Sequence, residues 1–185
     1  MKLILETIGI DSGKSLSLEG KAATVSRVKL QMESHESVHF ACHASQNIEN
    51  PLKSAFYLHD GCLELADIMR QKISYCELAF LSACQTSTGD EKLSEEAVHL
   101  AAGMLAVGYR GVVATMWSIN DNYGPTVAES FYKYLVDKGA LLGKPIIDSA
   151  NGAYALHRAV QSIREEVGDT EQGLLMWTPY VHFGI

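Results

Sequence analysis

The chain has 185 residues, 47% of them hydrophobic and 20% charged, with 15 basic against 22 acidic side chains for a net charge of −7. That length suits one domain, and a globule of this size buries roughly 70% of its unfolded surface without a disulfide or metal staple. The composition excludes disordered, collagenous, coiled-coil and low-complexity classes, and the acidic balance argues against a nucleic-acid binder, whose affinity rests on clustered positive charge.

No apolar run approaches the roughly 20 residues of a membrane helix. The start, Met1-Lys2-Leu3-Ile4-Leu5-Glu6, stops too soon for the apolar core of a signal peptide. The sequence holds no Asn-x-Ser/Thr site. Cys42, Cys62, Cys76 and Cys84 lie in a chain with neither the size nor the signal of a secreted disulfide scaffold. The expectation is a reduced, cytoplasmic protein with free thiols and no cofactor or metal.

Taken in chain order, Val25, Val28 and Met32 have helical spacing, and residues 38–42 form a short apolar run of the kind found in strands buried on both faces. Residues 56–65 carry apolar side chains on both sides of Asp60-Gly61, which predicts a hairpin off the main sheet. Residues 78–82 predict a second buried strand. Leu93, Ala97, Leu100, Ala101, Met104 and Leu105 make one helical stripe with an acidic start. Residues 111–116 predict a third strand. Gly124-Pro125 opens a helix through Val127, Phe131, Tyr134 and Leu135, with proline at its first position. Ala153, Leu156, Val160, Ile163 and Val167 make a further stripe, and residues 180–183 a weaker fourth strand. Residues 138–149 and 168–173 are expected to be flexible loops. Strands alternating with helices imply one α/β domain with a mostly parallel sheet covered on both faces.

In such a sheet the functional groups collect at the carboxyl ends of the strands. The first strand ends in Cys42-His43-Ala44-Ser45, the second in Ala83-Cys84-Gln85-Thr86-Ser87 and the third in Trp117-Ser118-Ile119-Asn120-Asp121. A histidine, a cysteine and an acid at one sheet edge make the inventory of a thiol nucleophile, its base and a charged pocket. A thiol attacks as thiolate, and a nearby imidazole takes its proton near neutral pH. Backbone N–H groups at Cys84 and Ala44 could face a developing oxyanion. Asp121 could equally bind a basic group on a substrate or cap a helix.

The remaining histidines and cysteines carry less. Strand alternation puts His39 and His43 on one face and Cys42 on the other, so the three do not converge on a zinc ion. Cys62 and Cys76 are expected to be packing residues. Gly103, Gly108 and Gly111 are explained by close helix packing and not by a phosphate loop.

The string Val38-His39-Phe40-Ala41-Cys42-His43-Ala44, followed by Leu81-Ser82-Ala83-Cys84-Gln85-Thr86, resembles the CHAT domain family. Residues 101–119 and the ending Trp177-Thr178-Pro179-Tyr180-Val181-His182-Phe183-Gly184 are similar to that family as well. The likeness runs from about residue 18 to residue 185. The family is caspase-like, related to separase and often fused to tetratricopeptide repeats. The resemblance implies a three-layer α/β/α caspase–haemoglobinase-like fold and a cysteine endopeptidase with a His43–Cys84 dyad. Ala44 and Cys84 would supply the oxyanion hole from their backbones. Ala44 stands where the family usually has glycine. Asp121 resembles an acidic position that contacts a basic residue before the cut, and Trp117 joins it as a substrate-binding candidate.

The expected partners are a protein or peptide substrate, with neither nucleic acid nor membrane. Residues 1–17 are read as a lead-in that supplies at most one strand, and residues 18–185 as the caspase-like domain. That is short of the family's first strand–helix unit, which would leave a sheet edge for an upstream repeat domain or a partner. The alternative to an enzyme is a catalytically silent caspase-like interaction or regulatory module of a larger protein.

Overall fold

Runs of apolar residues too short for a helix pair as strands, and runs with helical spacing cover them. A computed structural model of the chain describes residues 15–47, 49–82, 84–85, 97–117, 119, 123–143 and 147–185, with the backbone alone at 84, 85, 97 and 98. The strands are β1 (Ser37–Phe40), β2 (His43–Ser45), β3 (Ala55–Tyr57), β4 (Cys62–Glu64), β5 (Leu78–Leu81), β6 (Cys84–Gln85), β7 (Gly111–Thr115) and β8 (Tyr180–Gly184). The α-helices are α1 (Val25–Met32), α2 (Leu65–Met69), α3 (Ala97–Val107), α4 (Gly124–Leu142), α5 (Gly152–Val167) and α6 (Glu171–Trp177).

The main sheet has the order β1-β5-β7-β8. β1, β5 and β7 run parallel and β8 returns antiparallel against β7. Every residue of β5 and β7 is buried, as their continuous apolar sequences require of strands covered on both faces. β1 is less buried and forms an edge of this sheet among the described residues.

Alternation along each strand divides the interior in two. Phe40, Ala79, Leu81, Val112 and Ala114 face a core built with Val28 and Met32 of α1, Leu65 and Ile68 of α2, and Leu100 and Met104 of α3. Leu78, Phe80 and Val113 face the opposite core, made with Val127, Phe131 and Leu135 of α4 and Ala155, Ala159 and Ile163 of α5. The arrangement is a three-layer α/β/α fold, as expected from the alternation of strands and helices. Among the described residues no helix is long and apolar enough to cross a membrane.

The predicted hairpin exists and builds a second, smaller sheet of order β4-β3-β2-β6. β3 pairs antiparallel with both β4 and β2, and β2 runs parallel to β6. Its turn is docked on α1. The Asp60 carboxylate accepts from the Val25 N–H at 2.8 Å, and the His59 N–H donates to the Ala23 carbonyl at 2.9 Å. Phe56 of β3 stacks on Phe40 of β1 with ring centroids 4.1 Å apart, joining the two sheets through one core.

Three expectations are corrected. Residues 138–142 of the expected loop are helical, because α4 continues to Leu142 and stops at Gly143, whose φ of +59° favours glycine. In the other expected loop, Thr170 caps α6 by accepting from the Gly173 N–H, so residues 171–173 are helical. Cys62 is exposed and not a packing residue, while Cys76 is half-buried against the first core. The glycine reading holds at Gly103, where a Cβ would stand 2.5 Å from a Leu65 methyl, so α3 meets α2 through a residue without a side chain.

Phe80 is fully buried and its ring meets Phe131 edge-on at 5.1 Å, whereas Leu30 on α1 is 61% exposed. Phe80→Ala should therefore lower the unfolding free energy by about 3–5 kcal/mol. Leu30→Ala should stay within about 0.5 kcal/mol of the parent. Urea denaturation of the two variants checks the contrast, and equal losses would contradict this account of the core.

Candidate active site

The backbone pairing of β1 and β5 determines which residues meet at the carboxyl edge of the sheet. Ser37 pairs with Leu78 and Phe40 with Leu81. The ladder breaks after Phe40 and Leu81 and resumes with His43 opposite Cys84 and Ala44 opposite Gln85. The register is 41 residues on both sides of the break. β2 and β6 thus continue β1 and β5, and His43 and Cys84 are direct neighbours across a parallel pair, where strands lie about 4.8 Å apart. The sequence placed both residues in loops. They stand instead at the first positions of short strands, because the hairpin strand β3 pairs with β2 and extends the order of the sheet past its carboxyl end.

Side-chain alternation survives the break. Val38, Phe40, Cys42 and Ala44 all pack against the α1–α3 core. His39 points to the other side, with its ring 4.7 Å from Phe80 and 5.7 Å from Tyr132 of α4. Alternation assigns His43 to the same face as His39, and His43 is exposed there. The expected separation of His39 from Cys42 therefore holds. Among the described residues no group of three His, Cys, Asp or Glu side chains could hold a metal ion.

The chemistry of the two histidines diverges with their surroundings. Burial pulls the His39 imidazole down to a pKa of about 3, so the ring is neutral at physiological pH. Its Nε2 is 2.8 Å from the Ser82 hydroxyl oxygen, and its Nδ1 is sealed from solvent without a partner among the described residues. Burial also pushes the Cys42 thiol up to about 12, which keeps it protonated and a poor nucleophile. Cys42, one residue before His43, is therefore a core residue.

The other candidates fall as follows. Ala44 is 2% exposed and lies within β2 between Phe56 and Gln85, in extended backbone that tolerates a Cβ. Trp117 lies just past the carboxyl end of β7, half-buried, and its indole N–H donates to the Leu175 carbonyl of α6 at 3.4 Å. Beside it the Met116 N–H donates to the Pro179 carbonyl at 2.8 Å, so the exit from β7 is held by the segment that leads into β8. Asp121 lies outside the described residues. The ladder brings together the backbones of His43, Ala44 and Cys84, and Trp117 leaves the strand on the far side of β5.

Sequence reasoning missed the His39–Ser82 contact. The signal was present: with a register of 41, His39 pairs with Phe80, and Ser82 is the next residue on the same face. A family model described as the CHAT domain matches residues 5–185 of the chain. No curated protein matches it.

The depressed pKa of His39 makes stability depend on pH. The folded ring resists a proton that the unfolded chain binds near pH 6.5, so the stabilisation is complete above that value and is lost as pH falls toward about 3. Between pH 7 and pH 5 this one group should cost the parent roughly 2 kcal/mol. His39→Leu should show a correspondingly smaller loss. Urea denaturation at the two pH values checks this, and an equal loss in both proteins would remove His39 as the source.

Proposed function

The chain belongs to the CHAT domain family, a caspase-like family, and from that premise and the pairing of His43 with Cys84 we propose that it is a cysteine endopeptidase. The observation that carries the reading is the register. A ladder that resumes after its break with histidine beside cysteine, at the carboxyl edge of a parallel sheet, supports a dyad built on strands and not on mobile loops.

In this reading His43 takes the Cys84 thiol proton, and the thiolate attacks the carbonyl carbon of the scissile peptide bond. The negative charge that develops on the carbonyl oxygen is met by the backbone N–H groups of Ala44 and Cys84. The tetrahedral adduct collapses, the C–N bond breaks, and the imidazolium of His43 gives its proton to the leaving amine. Water then attacks the thioester carbonyl while His43 accepts a proton from it. The carboxylic acid leaves, and the proton returns to the Cys84 sulfur. The exposure of His43 supports the role, because substrate and water must reach the ring. Trp117 and Asp121 shape the pocket for the residue before the cut, and the carboxylate favours lysine or arginine there.

A peptidyl acyloxymethyl ketone with arginine before the reactive group should alkylate Cys84, and His43→Ala should slow that alkylation by about 100-fold or more. Peptide mapping by mass spectrometry locates the adduct. The exposed Cys62 serves as a thiol outside the dyad. Labelling of Cys84 at the rate of Cys62, unchanged by His43→Ala, would overturn the endopeptidase reading and leave a caspase-like interaction module.

Asp121→Ala should lower the inactivation rate by the arginine ketone at least about tenfold, the scale of a lost charge-assisted contact. The rate with a ketone carrying leucine at that position should stay within a factor of about two. A uniform loss with both reagents would take Asp121 out of the pocket.

A further inference from the structure

The break in the ladder poses a mechanical question. Backbone pairing stops after Phe40 and Leu81 and starts again, in the same register, at His43 and Cys84. Parallel strands without bonds between them are free to slide or splay, and a slip of one residue moves every side chain beyond it to the other face. One side-chain hydrogen bond between the two strands lies at the edge of this gap. His39 is the last residue but one of β1, and Ser82 is the first residue after β5. The Nε2 of His39 reaches forward past its own register partner Phe80 to the Ser82 Oγ at 2.8 Å.

The ring is held where it can do this. Phe80 lies beside it at 4.7 Å and Tyr132 of α4 at 5.7 Å, both tilted against the imidazole. A neutral imidazole has one N–H to place. Its Nδ1 is sealed from water with no partner among the described residues, and an orphaned buried N–H is rarer than an orphaned acceptor. The proton therefore belongs on Nε2, which donates to Ser82. An imidazole with one nitrogen unmet in an aromatic niche is a costly substitute for leucine, since a buried polar atom left unpaired has given up its bond to water for nothing. What leucine would lack is direction, because a hydrogen bond fixes the distance and angle between two strand ends that hydrophobic contact leaves loose.

We infer that His39 and Ser82 are a positioning pair, whose hydrogen bond carries the register of β1 and β5 across the break and thereby aligns His43 with Cys84. The consequence for catalysis rests on the endopeptidase reading; the consequence for alignment does not. Neither residue touches substrate. Both act through the pairing of β2 with β6.

The test uses the full chain with Ser82→Ala and Ser82→Thr, the second keeping the hydroxyl. Two quantities are measured: hydrogen exchange of residues 43–45 by mass spectrometry, and the rate of Cys84 alkylation by the arginine ketone. In Ser82→Ala, exchange over residues 43–45 should rise about tenfold, the scale of one lost hydrogen bond. Exchange over residues 111–115 of β7 should stay at the parental rate. Alkylation of Cys84 should slow by a similar factor, and Ser82→Thr should restore both to within about twofold of the parent.

Parental exchange over residues 43–45 in a folded Ser82→Ala would overturn the pair, as would an increase spread equally over β7. If Ser82→Ala fails to fold, His39→Gln and Ser82→Cys replace it. The glutamine keeps a donor and the thiol weakens the acceptor, so slower exchange in the first than in the second is expected and the reverse order refutes the pair. If the parent shows no His43-dependent alkylation, the endopeptidase reading fails by that measurement, and the exchange data still decide whether the pair aligns the strands.

Discussion

Everything at the carboxyl edge depends on the register between β1 and β5. A parallel pair has no turn to fix its alignment, since the chain between the two strands runs through the second sheet and α2 before it returns. The register must come from what the strands bury. Here Phe40 and Leu81 close the first stretch on one face and His39 and Phe80 pack together on the other. A slip by one residue would drive His39 into the α1–α3 core and turn Phe40 away from Phe56, exchanging a stacked aromatic pair for a buried imidazole without a partner. That penalty, several kcal/mol on ordinary transfer scales, fixes the alignment of the paired stretch up to the break.

The two ends of the same ladder are held by different kinds of force. At the amino end, Glu77 precedes β5, and its carboxylate accepts from both the N–H and the hydroxyl of Ser149, at 2.8 and 2.7 Å. The Glu77 N–H donates to the Glu36 carbonyl just before β1, and the Gly111 N–H donates to the Glu77 carbonyl at the start of β7. One residue so links three strands and the entry to α5 through charge-assisted and backbone bonds. At the carboxyl end the main-sheet pairing stops, and the hairpin takes over by pairing with β2. The closed end supplies rigidity. The open end leaves His43 exposed beside a buried Ala44.

Much of this was legible in the sequence. The three central strands, the hairpin and four of the helices follow from apolar spacing, because each buries enough surface for the pattern to rise above noise. α2 has five residues and α6 has seven, too few for a period to repeat. Their helicity comes from tertiary contact, such as Leu65 over Gly103, and from the Thr170 cap. The approach of His43 to Cys84 was legible as a shared edge, whereas their exact pairing was not. It depends on the ladder resuming in the same register after its break, which apolar spacing does not encode. The exposure of Cys62 was hidden for a related reason: β4 belongs to the small sheet, where Leu63 alone of its three residues is buried.

The histidines show why a residue type in a motif does not carry its own chemistry. His39 and His43 are four residues apart, two alternations along a chain that continues from β1 into β2, and alternation assigns them one face at different depths. The deeper ring lies against Phe80 and Tyr132, loses its basicity to burial and keeps only the capacity to donate one bond. The outer ring stands past the end of the packed strand, exposed to water. Four residues along a strand span roughly 13 Å, which is enough to cross from the aromatic interior to solvent. The same side chain therefore bonds a neighbouring strand at one end of that distance and meets solvent at the other. The break in the ladder lies between them, at the point where the strand passes from filling the space between the layers to presenting a side chain to water.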